Sequence, residues 1–122
     1  FNFRYSTEWS SKSLQQHVEK LFTKHGLDFS IDWHLSGAPF ITEGGKLVEA
    51  VRDSIQASTG RTPELSTSGG TSDGRFISPA GAQVVEFGAV NTSIHKPNEQ
   101  IPVDDIELMR KTYAGILERV LI

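Results

Sequence analysis

The sequence predicts an α/β protein built from two consecutive parts, and three observations carry that reading. The stretches "FNFRYS" and "LDFSIDWHL" alternate apolar and polar residues, the period-two mark of a half-buried strand. Apolar stripes spaced near 3.6 residues lie between and after them and predict helices. Composition then shifts at "SGAPFITEGG", a turn-rich stretch in which Pro39 bars simple continuation of the preceding strand. The boundary between the parts therefore falls between about 36 and 40.

Within the first part, Phe1, Phe3 and Tyr5 face one way and Asn2, Arg4 and Ser6 the other. Hydroxyls in "STEWSSKS" offer an N-cap to a helix carrying Leu14, Val18, Leu21 and Phe22, and Gly26 follows as its stop. Leu27, Phe29, Ile31, Trp33 and Leu35 then alternate with Asp28, Ser30, Asp32 and His34. Strand, helix, strand is the expected order, with one sheet face covered by the helix.

The second part opens with a helix from Lys46 through Leu47, Val48, Val51 and Ile55, ending near Thr59-Gly60. A short extended piece is expected near 63–67. "DGRFISPAG" predicts a short helix broken by Pro79 and Gly81, and "AQVVEFGAV" the most buried strand. "NTSIHKPNEQIPV" is an irregular loop, after which Asp104 or Asp105 is placed to cap a final helix or complement its dipole. That helix carries Ile106, Met109, Tyr113, Ile116, Leu117 and Val120. Two convincing strands are few for a sheet with helices on it. Together with a first residue already in strand pattern and no initiator methionine, this leads to the expectation of a piece of a longer chain.

Bulk properties narrow the function. At 122 residues the chain can hold one ordinary core. Its net charge is -3, with Lys and Arg dispersed among Asp and Glu, which speaks against a nucleic-acid partner. No apolar run nears the ~20 residues of a membrane span. The chain has no cysteine, which excludes disulfide scaffolds, thiolate catalysis and thiolate metal sites, and suits an intracellular setting.

The chemistry-bearing candidates each admit a plain reading. In "SGGTSDGRF", Gly69 and Gly70 could let backbone approach a ligand, with Thr71 and Ser72 giving hydroxyls. Equally, Ser72 or Asp73 could simply cap a turn. The stretch is neither a phosphate-binding Walker loop, a dinucleotide fingerprint nor a serine-hydrolase elbow. His95 lies in the loop beyond a strong apolar strand, where α/β folds place sites, with Asn91, Asn98 and Glu99 nearby in sequence. One histidine makes no metal site, because zinc takes three or four protein ligands. Arg4 could clamp a carboxylate bidentately or be a solvated sheet residue. His17, His25, Asp32 and His34 read as surface, and Trp9 and Trp33 as packing or interface anchors.

Taken together, "FNFRYSTE", "WHLSGAPFIT", "GGTSDGRF", "GAQVVEFG" and "NTSIHKPNE" resemble the M20 family of dizinc amidohydrolases, in order over the whole chain. "FNFRYST" and "WHLSG" resemble its desuccinylating members more than its deacetylating and carboxypeptidase ones. The resemblance implies a ferredoxin-like inserted dimerisation domain, whose last βαβ would be residues 1–36, and a zinc-exopeptidase-like catalytic domain, whose C-terminal α/β segment would be 37–122. By the same resemblance His95 is a zinc ligand and Arg4 binds a substrate carboxylate. Gly70, Thr71 and Asn91 contact substrate, and Ser72, Asp73 and Arg75 hold the loop in shape.

The implied reaction is hydrolysis of N-succinyl-LL-2,6-diaminopimelate to succinate and LL-2,6-diaminopimelate, a step toward lysine, in a cytoplasmic homodimer. Two zinc ions per subunit, replaceable by cobalt, would activate water and polarise the amide carbonyl. The general-base glutamate and the other ligands have no counterpart in the sequence. Glu86 belongs to a strand, Glu99 is one carboxylate, and one imidazole cannot hold two zincs. The isolated chain is therefore expected to be inactive and to bind zinc weakly. A freestanding dimerisation or binding module without catalysis, and another M20 member, are the alternatives.

Overall fold

The computed structural model describes residues 1–70, 72–90 and 92–122. Along them run α1 (Ser11–Lys24), α2 (Lys46–Thr59), the one-turn α3 (Gly74–Ile77) with a 3-10 turn at Ser78–Ala80, and α4 (Val103–Leu121). Every predicted helix is present. Among the described residues there is no β-strand, and this overturns the predicted α/β class, both the βαβ unit of a ferredoxin-like domain and the α/β catalytic segment.

The physical reason lies in what alternation measures. A period of two says that one face of a segment can be buried, whereas a strand exists only when its N–H and C=O groups pair with a neighbour. Among the described residues, backbone bonds outside the helices are confined to turns and caps, so residues 1–6, 27–35 and 82–90 form no ladder with one another. Accessible surface is correspondingly large, 9847 Å² against about 6,500 Å² for a closed domain of this mass. The segment expected to be most buried, 82–90, has no buried residue: Val84, Val85, Phe87 and Ala89 are half-buried, the rest are exposed, and Val90 is 81% exposed.

Helix ends follow their local chemistry closely. Ser10 caps α1 through a reciprocal box: its Oγ accepts from the Ser13 amide at 3.0 Å, and Ser13 Oγ accepts from the Ser10 amide at 3.0 Å. At the other end Leu27 N donates to Phe22 O and Gly26 N to Thr23 O. This is a Schellman closure, which requires Gly26 at φ +65°. Gly60 ends α2 at φ +71° by donating to Gln56 O. Pro102 precedes α4 without a side-chain cap, so Asp104 and Asp105, in its first turn, serve the dipole rather than the cap.

The main helix packing is α2 against α4, antiparallel. Lys46 Nζ, at the start of α2, donates to Val120 O at 2.8 Å near the end of α4. Further along, Ser58 Oγ and Thr112 Oγ1 share a hydrogen bond of 2.7 Å, and Thr112 is fully buried. Val48, Ala50, Val51 and Ile116 form the apolar core of the pair. In the first part, α1 packs on the segment that follows it. The Phe22 and Phe29 rings meet edge to face at 5.2 Å, and Trp33 Nε1 donates to Glu19 Oε1 at 2.8 Å. Trp33 is thus a packing anchor. Trp9, with Tyr5, Leu35 and Pro39, lines a groove beside the change in composition.

Candidate functional site

Three stretches carry the predicted site residues: Arg4, the segment 70–75, and the loop holding His95. Thr71 and Asn91, both predicted to contact substrate, lie outside the described residues. Arg4 is exposed and Gly70 is exposed with open space beside its Cα. That space permits the close approach a ligand-contacting glycine needs.

The turn after Gly70 is a built structure. Ser72 Oγ accepts from the Gly74 amide at 3.0 Å and donates to the Glu86 carboxylate. Phe76 N donates to Asp73 O at 2.9 Å, opening α3. Gly74 is buried because its backbone lies under the segment beyond α3. A Cβ there would stand 2.7 Å from Val84 Cγ1 and 3.1 Å from Phe40 Cζ. Arg75 runs back beneath Gly37, whose added Cβ would be 3.0 Å from Arg75 Cδ. Its guanidinium lies 4.8 Å from the Phe76 ring centroid, and its Nε is buried without a hydrogen-bond partner among the described residues.

The covering segment, 82–90, is itself held by side chains. Thr42 Oγ1 donates to Val84 O at 2.5 Å and accepts from Val84 N at 3.3 Å. Gln83 Oε1 accepts from Leu47 N at 3.1 Å, and Tyr113 Oη donates to Phe87 O at 2.7 Å, with their rings 5.7 Å apart. Backbone groups that a ladder would pair are met here by hydroxyls. Glu86, Gln83, Thr42 and Tyr113 were not singled out from sequence as supports of the site. The available signal was Glu86 itself, an acid two residues from Val84 inside an apolar run.

His95 sits in a loop clipped at its base. Ser93 Oγ accepts from Gln100 N at 2.9 Å and donates to Gln100 O at 3.0 Å. The loop so closed holds two non-glycine residues in the left-handed region, His95 at φ 62° and Asn98 at φ 60°. Histidine and asparagine tolerate that region better than most residues, yet it carries strain. The His95 ring is exposed. Among the described residues no hydrogen bond or ion pair joins Arg4, the 72–75 turn and His95, and no group of three His, Asp or Glu is placed to hold a metal. No helix among them is long and apolar enough to cross a membrane.

The chain belongs to peptidase family M20/M25/M40, whose model matches residues 6–119. Within that family it is 51% identical over 121 residues to the succinyl-diaminopimelate desuccinylase of Pseudoalteromonas atlantica, 53% to that of Alkalilimnicola ehrlichii and 52% to that of Acinetobacter baumannii. Each match takes in 99% of this chain and 32% of the relative. The chain thus spans about a third of the length of these relatives.

Proposed function

We propose that the protein is a metal-dependent desuccinylase that cleaves N-succinyl-LL-2,6-diaminopimelate to succinate and LL-2,6-diaminopimelate, and that these 122 residues form the C-terminal part of it. The observation that carries this reading is identity of 51–53% sustained over 121 residues with three desuccinylases. Residues 1–36 belong to a dimerisation domain and 37–122 to the catalytic domain of a cytoplasmic homodimer.

In this reading Arg4 pairs with a substrate carboxylate, for which a planar guanidinium is well matched. Gly70 offers its backbone, Thr71 its hydroxyl and Asn91 its amide, while His95 is one metal ligand. Two zinc ions, or cobalt in their place, supply water activation and carbonyl polarisation when bound. One imidazole cannot hold them, so that chemistry depends on donors beyond the 122 residues, as does the general base.

The test is succinate release from N-succinyl-LL-2,6-diaminopimelate by the intact protein, lost on chelation and restored by zinc or cobalt. Faster turnover of the N-acetyl analogue would instead place it among the deacetylating members of the family.

A further inference from the structure

We propose that Glu86 is the positioning residue of the turn at 72–74, a role that rests on the reading of the adjoining Gly70 as a substrate contact. Three observations converge on it. Ser72 Oγ donates to the Glu86 carboxylate while accepting from the Gly74 amide. One hydroxyl thereby ties the turn's own backbone to an acid 14 residues away. Val84, two residues before Glu86, places Cγ1 2.7 Å from where a Gly74 Cβ would stand. Both side chains therefore reach the same turn, as the i and i+2 positions of one segment do. Finally, the segment is not free to follow the turn, because Thr42 grips Val84 on both its N–H and its C=O.

The turn is thus held at two points against an anchored template: by packing at Gly74 and by a charge-assisted hydrogen bond at Ser72. An ionised carboxylate only accepts, which orients the Ser72 hydroxyl hydrogen toward Glu86 and leaves its lone pair for the Gly74 amide. A neutral apolar residue at 86 would free that hydroxyl to rotate. Glu86 itself need touch neither substrate nor metal; it acts through Ser72.

The experiment uses the intact protein and four variants, Glu86→Ala, Glu86→Gln, Ser72→Ala and Glu86→Ala/Ser72→Ala. In Glu86→Ala, amide hydrogen exchange over 72–77 should quicken at least about 10-fold while that of α2 and α4 stays unchanged. KM for the succinylated substrate should rise about 10-fold or more, with kcat falling less and metal content unaltered. Glu86→Gln keeps an acceptor for Ser72 and should return both readouts to within about 3-fold of the parent. The double variant should be no worse than either single one, since both remove the same bond. Unchanged exchange over 72–77, additive single variants, or loss of metal in Glu86→Ala would each overturn the positioning role. A parent protein that shows the exchange effect but cleaves no succinylated substrate would overturn the functional reading alone and leave Glu86 as the brace of the turn.

Discussion

Gln83 closes the amino end of α2: its Oε1 accepts from the Leu47 amide at 3.1 Å, although 36 residues separate the two in sequence. The residue before α2, Gly45, has no side chain to do this, and a Cβ there would stand 2.1 Å from Gln83 Nε2. Glycine at 45 and glutamine at 83 are therefore one device. Gln83→Ala should cost about 1 kcal/mol, the usual worth of an N-cap. Gly45→Ala should cost a similar amount by displacing the amide, and the two together should cost little more than one. Urea denaturation of the intact protein checks this, and full additivity would show that Gly45 and Gln83 act independently rather than as one device.

Gly74 is forced by space rather than by backbone conformation. Its missing Cβ would overlap Val84 Cγ1 at 2.7 Å and press on Phe40 Cζ at 3.1 Å. Gly74→Ala should therefore destabilise by about 1–3 kcal/mol through overpacking. Adding Val84→Ala should recover part of the loss, because it removes the nearest atom. A shortfall in recovery, read by thermal unfolding, would point to the remaining contacts, Phe40 Cζ and Ser72 Oγ, each 3.1 Å from the added Cβ.

How far sequence led and where it stopped can be seen in these same residues. Helix periodicity and stop signals are local, so Gly26 and Gly60 announced the ends of α1 and α2 correctly, while "STEWSSKS" offered several hydroxyls of which Ser10 is the cap. Of the alternating face of "LDFSIDWHL" only Ile31 and Trp33 are half-buried; Leu27, Phe29 and Leu35, expected on the same face, are exposed, as are Asp32 and His34. Alternation could not foretell a ladder, because pairing depends on a neighbouring segment and not on the segment's own pattern. The motif "GGTSDGRF" located the turn, and its family resemblance placed the chain. The brace from Glu86 and the cap from Gln83 are long-range contacts that no local rule encodes.

Ser54 and Ser58 face α4 one turn apart and should respond to mutation in opposite senses. Ser58 Oγ bonds Thr112 Oγ1 and the Ser54 carbonyl, whereas Ser54 Oγ is buried with no partner among the described residues. An unpaired buried hydroxyl costs free energy, and removing it while keeping the methylene does not open a large void. Ser54→Ala should be neutral or stabilising by up to about 1 kcal/mol, and Ser58→Ala destabilising by about 1–2 kcal/mol. Equal losses from both would mean that Ser54 finds a partner in solution.

On α4, Arg110 holds the Glu107 carboxyl below its usual range, chiefly through a two-pronged hydrogen bond at 2.8 Å and further through the charges of Arg110 and Lys111. A carboxyl so depressed contributes stability above its unfolded pKa and loses it as pH falls through the folded value. Arg110 is shifted upward, so its share persists at every lower pH and fades only in strong alkali. The advantage of the parent over Glu107→Gln should hold at neutral pH and vanish below the carboxylate range. Both groups are fully exposed, so the effect is small and salt should erase it. Circular dichroism against pH at two ionic strengths reads the difference, and a gap that persists in acid would contradict the pairing.

His95 offers the sharpest separation of stability from function. Its φ of 62° puts an L-residue in the left-handed region, which costs about 1–2 kcal/mol. Glycine enters that region freely, although it also gains entropy in the unfolded chain, which offsets part of the relief. His95→Gly should therefore leave the metal-free intact protein as stable as the parent or more so, by up to about 1 kcal/mol. The same change removes the imidazole, and bound zinc measured after dialysis should fall by one equivalent per subunit. Stability held or gained while metal is lost is the signature of strain kept for a functional group. Unchanged zinc would remove His95 from the ligand set, and a large loss of stability would show that its ring packs more than its exposure suggests.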